Sequence, residues 1–189
     1  MAEWADYFTQ TPLRNKIIAA AMIECMKAPR ISDLVLDAEG KRLGWPRLKE
    51  FFDRTIAGWS EAKWKVKENL DGIQAPTKRV PQILHWCGIF TTYCLVQAGV
   101  EAQWRCGYTP AIKSNAVKYV AGKNDQIRPG DIAISALPGA DGGTVHHHYL
   151  VIKVQGGMME TIDGNSRYQD ITWNTRPVKE PYGHYSIIG

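Results

Sequence analysis

From Arg128 to the C-terminus the chain consists of short apolar runs punctuated by glycine, a pattern that commits this half to antiparallel hairpins. Pro129-Gly130 predicts a turn, Asp131 to Ser135 a strand, and Leu137 to Thr144 a glycine-rich loop. His148 to Val154 reads as a strand, Gln155-Gly156-Gly157 as a hairpin connection, and Met158 to Ile162 as the returning strand. Asp163-Gly164-Asn165 then turns the chain, and Ile171 to Thr175 and Tyr185 to Ile188 are further strands.

The half before it reads differently. Thr11-Pro12 places a hydroxyl at the N-cap and proline at the first helical position, and Leu13, Ile17, Ala21 and Cys25 follow at four-residue spacing until Ala28-Pro29. Trp45, Leu48, Phe52 and Ile56 form a second amphipathic stripe that stops at Gly58. Ser60 caps a third, weaker stretch from Trp64 to Leu70, whose Lys-Trp-Lys-Val-Lys alternation also suits a strand. A helix from Pro81 to Ala98 closes on Gly99, and Ser114 to Val120 is a short helix candidate. Helices first and hairpins after is an α+β order. Gln74-Ala75-Pro76-Thr77 is a connector, dividing a helical N-terminal region, residues 1–75, packed on the core, from a second part, residues 76–189.

Composition decides which functions to set aside. With 44% hydrophobic and 22% charged residues the chain can bury a sizeable core, and a net charge of +4 is too small and scattered to point to nucleic acid. Lys63, Lys65 and Lys67 stand between Glu61 and Glu68, which reads as a solvated face. The longest apolar run, Ile17 to Ile23, falls far short of the roughly 20 residues a bilayer span needs, so stable membrane insertion is not expected. The start, Met1 to Asp6, has no basic segment followed by an apolar one, which predicts synthesis in the cytoplasm without a Sec leader and export by another route. Cys25, Cys87, Cys94 and Cys106 have neither metal-knuckle nor disulfide-scaffold spacing, and Cys25, Cys94 and Cys106 read as core or incidental residues.

Cys87 is different. A helix start at residues 84 to 86 puts it in the first turn, where free N–H groups and the positive end of the helix dipole favour thiolate. A nucleophilic thiolate needs a histidine to carry protons and a third group to hold that ring. His148, Leu150 and Ile152 share one face of their strand, and the hairpin returns so that Asp163 ends level with His148, with Asn165 two residues on. His146 and His147 come just before this strand, and a one-residue change of register would exchange the faces; the aligned apolar positions favour His148. Three consecutive strand histidines alternate faces and do not converge on one metal ion. Trp45, Trp64 and Trp104 read as core, and Trp86 and Trp173 as flanks of a groove for a sugar or peptide.

Four segments then carry a resemblance. Trp86-Cys87-Gly88-Ile89-Phe90 resembles the Trp-Cys-Ala-x-Phe box of the CHAP family, the cysteine, histidine-dependent amidohydrolases and peptidases of papain-like fold. Pro129-Gly130-Asp131-Ile132 is similar to that family's Pro-Gly-Asp strand start, His148 to Ile152 to its His-Val-Gly-Ile-Val strand, and Thr161 to Asn165 to its Glu-Gly-Asn ending. The resemblance covers about residues 80–189 in family order. It implies a papain-like core of N-terminal helices on a small antiparallel sheet. It also implies a peptidoglycan-degrading cysteine amidase or endopeptidase with Cys87 as nucleophile, His148 as base, and Asp163 or Asn165 as the orienting group. Asp163 stands where the family usually has glutamate, so a shorter carboxylate has to sit closer to the ring. The backbone N–H of Cys87, and Gln82 by analogy with papain-like enzymes, are the expected oxyanion donors. Some relatives bind calcium near the cysteine, but Thr77 to His85 holds no carboxylate, so neither metal nor cofactor is expected. The implied settings are a phage lysin or an antibacterial effector toxin released without a leader, the latter with a cognate immunity protein. A hydrolase of a protein or small-molecule amide, and a non-catalytic papain-like binding module, are the alternatives.

Overall fold

The computed structural model describes residues 4–36, 38, 42–56, 85–138, 142–166 and 170–188. Among these, three helices and a six-stranded antiparallel sheet make a mixed α+β architecture, with two further two-stranded sheets. The helices are α1 (Pro12–Met26), α2 (Trp45–Thr55) and α3 (Cys87–Gln97). The main sheet holds β5 (Val117–Ala121), β6 (Ile132–Pro138), β7 (Thr144–Gln155), β8 (Met158–Ser166), β9 (Asp170–Pro177) and β10 (Gly183–Ile187), in the order β5-β10-β6-β7-β8-β9. β1 (Ser32–Leu36) pairs with β2 (Arg42–Leu43), and β3 (Gln103–Trp104) with β4 (Ile112–Lys113). No helix among the described residues is long and apolar enough to cross a membrane.

The helices bury one face of the sheet. Ile17, Ile18 and Met22 of α1, Leu48, Phe51 and Phe52 of α2, and Ile89 and Phe90 of α3 share one core with Ile132, Ile134, Leu150, Ile152 and Ile162 of the strands. The alternate residues, Ala133, Tyr149, Val151 and Met159, form a second, smaller cluster on the opposite face with Ile127. Strand alternation thus assigns every β7 side chain a side: 148, 150 and 152 toward the helices, 147, 149 and 151 away from them.

Two buried ion pairs fix α1. Arg14 bonds Asp131 at 2.8 Å and donates to the carbonyls of Pro129 and Ile187, while the Asp131 carboxylate also accepts from the backbone N–H groups of Arg128 and Ile187. Gly130, at φ 92°, presses on Arg14, 3.0 Å from where its Cβ would be, so the Pro-Gly-Asp turn is shaped to receive this helix. At the other end, Arg47 of α2 bonds the Glu24 carboxylate at 2.6 Å and donates to the carbonyls of Glu24, Lys27 and Pro29, satisfying acceptors that the end of α1 leaves open. The N-terminal helices therefore share the core of the sheet, and the boundary expected at residues 75 and 76 lies outside the described residues.

Three local expectations change. Ser114 to Val120 is not helical: Val117 to Ala121 is β5, paired along its length with β10, where Tyr119 packs on Tyr185. β7 begins at Thr144, so His146 and His147 already lie on the strand. Asp163-Gly164-Asn165 does not turn the chain but continues β8 to Ser166 through a bulge, with Asn165 at φ 55°.

Candidate active site

Cys87 is the first residue of α3, preceded by Trp86 at the N-cap. Trp86 is 1% exposed and packs on Phe51 at 6.3 Å, so it anchors the helix start in the core and does not flank a groove. Phe90 N–H donates to the Trp86 carbonyl at 2.9 Å, which leaves the earlier N–H groups of the turn, that of Cys87 among them, without an intrahelical acceptor. Gly88 is required by Trp104 of β3: a Cβ here would lie 2.2 Å from the indole. Trp104 therefore lies directly over the turn that carries the thiol, and its ring meets His148 edge-on at 5.0 Å. Trp104, half-buried, packs on the core as expected and is also a wall of the site.

The Cys87 thiol is buried, and its Sγ lies 3.8 Å from the carbonyl oxygen of His146. Burial pushes the thiol up, and the hydrogen bonds and charges of His147 and His148 more than reverse this, bringing it down to about 5 from an ordinary 9.0. After burial, the largest single influence on the thiol is the hydrogen bond from His147, and the charge of His148 outweighs that of His147. His147 is itself pushed down by burial and pulled up by hydrogen bonds to Asp163 and Cys87, reaching about 9 from 6.5. Between these two values the stable form of the pair is thiolate and imidazolium.

Asp163 holds His147, not His148. Its Oδ2 is 2.9 Å from His147 Nε2, its Oδ1 accepts from the Thr161 hydroxyl at 2.7 Å, and Arg176 of β9 donates to Oδ2 at 2.6 Å. Burial opposes the charge on Asp163, and these partners nonetheless keep the carboxyl below its ordinary value. Strand parity causes the reassignment. Leu150 pairs with Ile162, both toward the helices, so Asp163 falls on the Tyr149 side with His147. Gly164 occupies the helix side, where a Cβ would come 2.5 Å from Phe90. His148 lies on that side too, 6% exposed, with Nδ1 buried and unpartnered. Asn165 makes no hydrogen bond to either imidazole among the described residues. Gln82 lies outside the described residues.

The site thus brings together Cys87, His147, His148 and Asp163, and adds Arg176, which sequence reading did not single out. Its guanidinium bridges Asp163 and Glu180 and lies 4.7 Å over the Tyr149 ring. The parity signal for His147 was present in the sequence: Leu150 and Ile162 are the evident core positions of the hairpin, and counting from each puts His147 and Asp163 on the shared opposite face. Among the described residues no three or more His, Cys, Asp or Glu side chains are grouped to hold a metal ion.

Beside the thiol opens a cavity of about 640 Å³ bounded by Trp104, Tyr108, Tyr119, Tyr182, Tyr185 and His148. Tyr182 hydrogen-bonds His146 Nδ1 at 2.9 Å at its edge. Trp173, the other expected groove residue, is on β9, where it donates to Glu160 and meets Tyr7 edge-on at 5.4 Å. Compared with known proteins, the chain matches no family model, no curated protein and no solved structure.

Proposed function

We propose that the protein is a cysteine hydrolase of amide bonds, of the papain-like type that the CHAP resemblance implies, with Cys87 as nucleophile, His147 as proton carrier and Asp163 as the group that orients it. The observation that carries this reading is the chain of contacts from a buried helix-start thiol through His147 to Asp163, with shifts that favour the ion pair at neutral pH. The sequence boxes support it further, since they fall at the start of α3, before β6, along β7 and at the end of β8.

The chemistry follows from the charges. The Cys87 thiolate adds to the carbonyl carbon, and the oxygen that takes up the electron pair is met by the free N–H of Cys87. Collapse of this adduct breaks the C–N bond as the His147 imidazolium gives its proton to the departing amine, leaving a thioester and neutral His147. Water then attacks the thioester, His147 takes the water's proton, and release of the acid restores thiolate and imidazolium. Asp163 fixes the ring through Nε2, so the other nitrogen is the one free to serve sulfur and substrate.

The substrate proposed is peptidoglycan, cleaved at a stem-peptide or sugar-peptide amide, in the setting of an effector or lysin acting on a bacterial wall, with an immunity protein as the partner of an effector. Digesting purified peptidoglycan under reducing conditions and identifying soluble fragments by mass spectrometry tests this. New fragments, absent with Cys87→Ala, are expected. Unchanged muropeptides with folded protein count against the wall as substrate.

A further inference from the structure

The cavity beside Cys87 is chemically one-sided. Among the described residues that line it there is no lysine, arginine, aspartate or glutamate. Arg105, between the lining residues Trp104 and Cys106 in the chain, lies 5.1 Å over the Tyr108 ring and donates to the Pro110 carbonyl. The walls are aromatic faces: Trp104, fixed against Gly88, and Tyr119 and Tyr185, which pack on one another at 5.4 Å. A charged group entering such a space would lose water and meet no counter-charge. A flat apolar ring would instead exchange water for stacking contacts on several sides.

The polar side chains of the cavity are hydroxyls, imidazoles and the Cys106 thiol. The Tyr185 hydroxyl accepts from the Ala111 N–H at 2.8 Å, which leaves its own proton as a donor. His148, 94% buried by its 6% exposure, borders the cavity with an unpartnered Nδ1. A buried imidazole nitrogen without a partner is an uncompensated cost in the empty site. His146, which also lines the cavity, has its carbonyl oxygen 3.8 Å from Cys87 Sγ, so the cavity adjoins the reacting sulfur.

We propose that this cavity is a ring-binding subsite, which takes an uncharged ring with a flat apolar face and a hydrogen-bonding edge as the group flanking the scissile amide, held by the aromatic faces of Trp104, Tyr119 and Tyr185. The proposal rests on the cysteine-hydrolase reading only for what lies next to the subsite. It selects against amides whose flanking group is a carboxylate-bearing side chain. Two kinds of molecule share the ring chemistry, a neutral pyranose and an aromatic amino-acid side chain.

Cys106 supplies a readout independent of catalysis, because it is exposed and lines the same cavity. In Cys87→Ala protein, alkylation of Cys106 is followed by peptide mapping while N,N′-diacetylchitobiose, N-acetyltyrosinamide or the acidic dipeptide Ala-Glu is titrated in. One ring probe should protect Cys106 saturably and the dipeptide should not. Protection by chitobiose identifies the pyranose, and protection by the tyrosine amide the side chain. His148→Leu and Tyr182→Ala, the latter at a 40% exposed position, should each raise the midpoint about tenfold. No protection by either ring probe at tens of millimolar, or equal protection by the dipeptide, overturns the proposal. Failure of the hydrolase reading registers separately, in the alkylation profile of Cys87 in the wild-type protein.

Discussion

Alkylation of Cys87 by iodoacetamide as a function of pH tests the ion pair before any substrate is in hand. At pH 6 a thiol with an ordinary value of 9.0 is about one part in a thousand ionised, whereas one at about 5 is roughly nine-tenths ionised. The roughly 900-fold gain in thiolate is offset by weaker intrinsic nucleophilicity, about 60-fold for a drop of about four units at a Brønsted slope near 0.45. The net advantage at pH 6 is therefore about 15-fold, and it vanishes near pH 7, where the ordinary thiol catches up. The shape of the curve is thus the sharper test. The rate at Cys87 should rise through about 5 and stay level to about 9, where His147 loses its proton and the pair ceases to be an ion pair. Peptide mapping separates Cys87 from the exposed Cys106. His147→Ala removes the largest single hydrogen-bond contribution to the thiolate together with the partner held by Asp163, and should carry the inflection up toward 9. An inflection near 9 in the wild-type protein would refute the ion pair. A wild-type inflection near 5 that survives His147→Ala and is lost with His148→Gln would return the base to His148.

Two further substitutions test the scaffold. Gly88→Ala places a methyl group 2.2 Å from the Trp104 indole, and it should destabilise by about 1–3 kcal/mol in urea unfolding, with most of the loss recovered in the Gly88→Ala, Trp104→Leu double variant. Asp131→Asn leaves the buried Arg14 guanidinium without its counter-charge and should cost about 3–5 kcal/mol, a loss that Arg14→Met in the same chain should partly restore.

How far the sequence could be read depended on the range of the contacts involved. The stripes of α1 and α2 are local, and the structure has helices at both. The thiol at the head of α3 was equally legible, because a helix start is a matter of a few residues. β5 was not: Val117, Tyr119 and Val120 have little periodicity of their own, and they are a strand because β10, more than 60 residues later in the chain, pairs with them. The histidine that Asp163 holds is one residue earlier than expected, because the apolar run after it was matched as a string, when the question was which face each residue takes. The cavity was beyond reach, since Trp104, Tyr119, Tyr182 and Tyr185 come from four separate elements or turns and meet only in the folded chain. Trp86 and Trp173 were the natural candidates for an aromatic groove, yet one is an anchor in the core and the other braces an outer strand.

The shorter carboxylate at position 163 makes sense only with the parity of the hairpin. An aspartate two positions from Thr161 on the same face needs no reach to meet His147, because both side chains rise from adjacent strands on the side away from the helices. Nothing on that face would stop so short and buried an acid from taking up a proton were it not for its partners, and Arg176 supplies a permanent positive charge at 2.6 Å. Arg176 is in turn pinned by Glu180 and by the Tyr149 ring, so the charge cannot swing away. The carboxylate is therefore kept ionised by one neighbour and put to use by the other. The arrangement also sets the two histidines apart: His147, on the face away from the helices, has a fixed partner and a raised affinity for protons, while His148, on the helix side, lines the aromatic cavity. One strand in this way brings two consecutive imidazoles to bear on the same sulfur, one bonded to a buried carboxylate and the other beside the aromatic cavity.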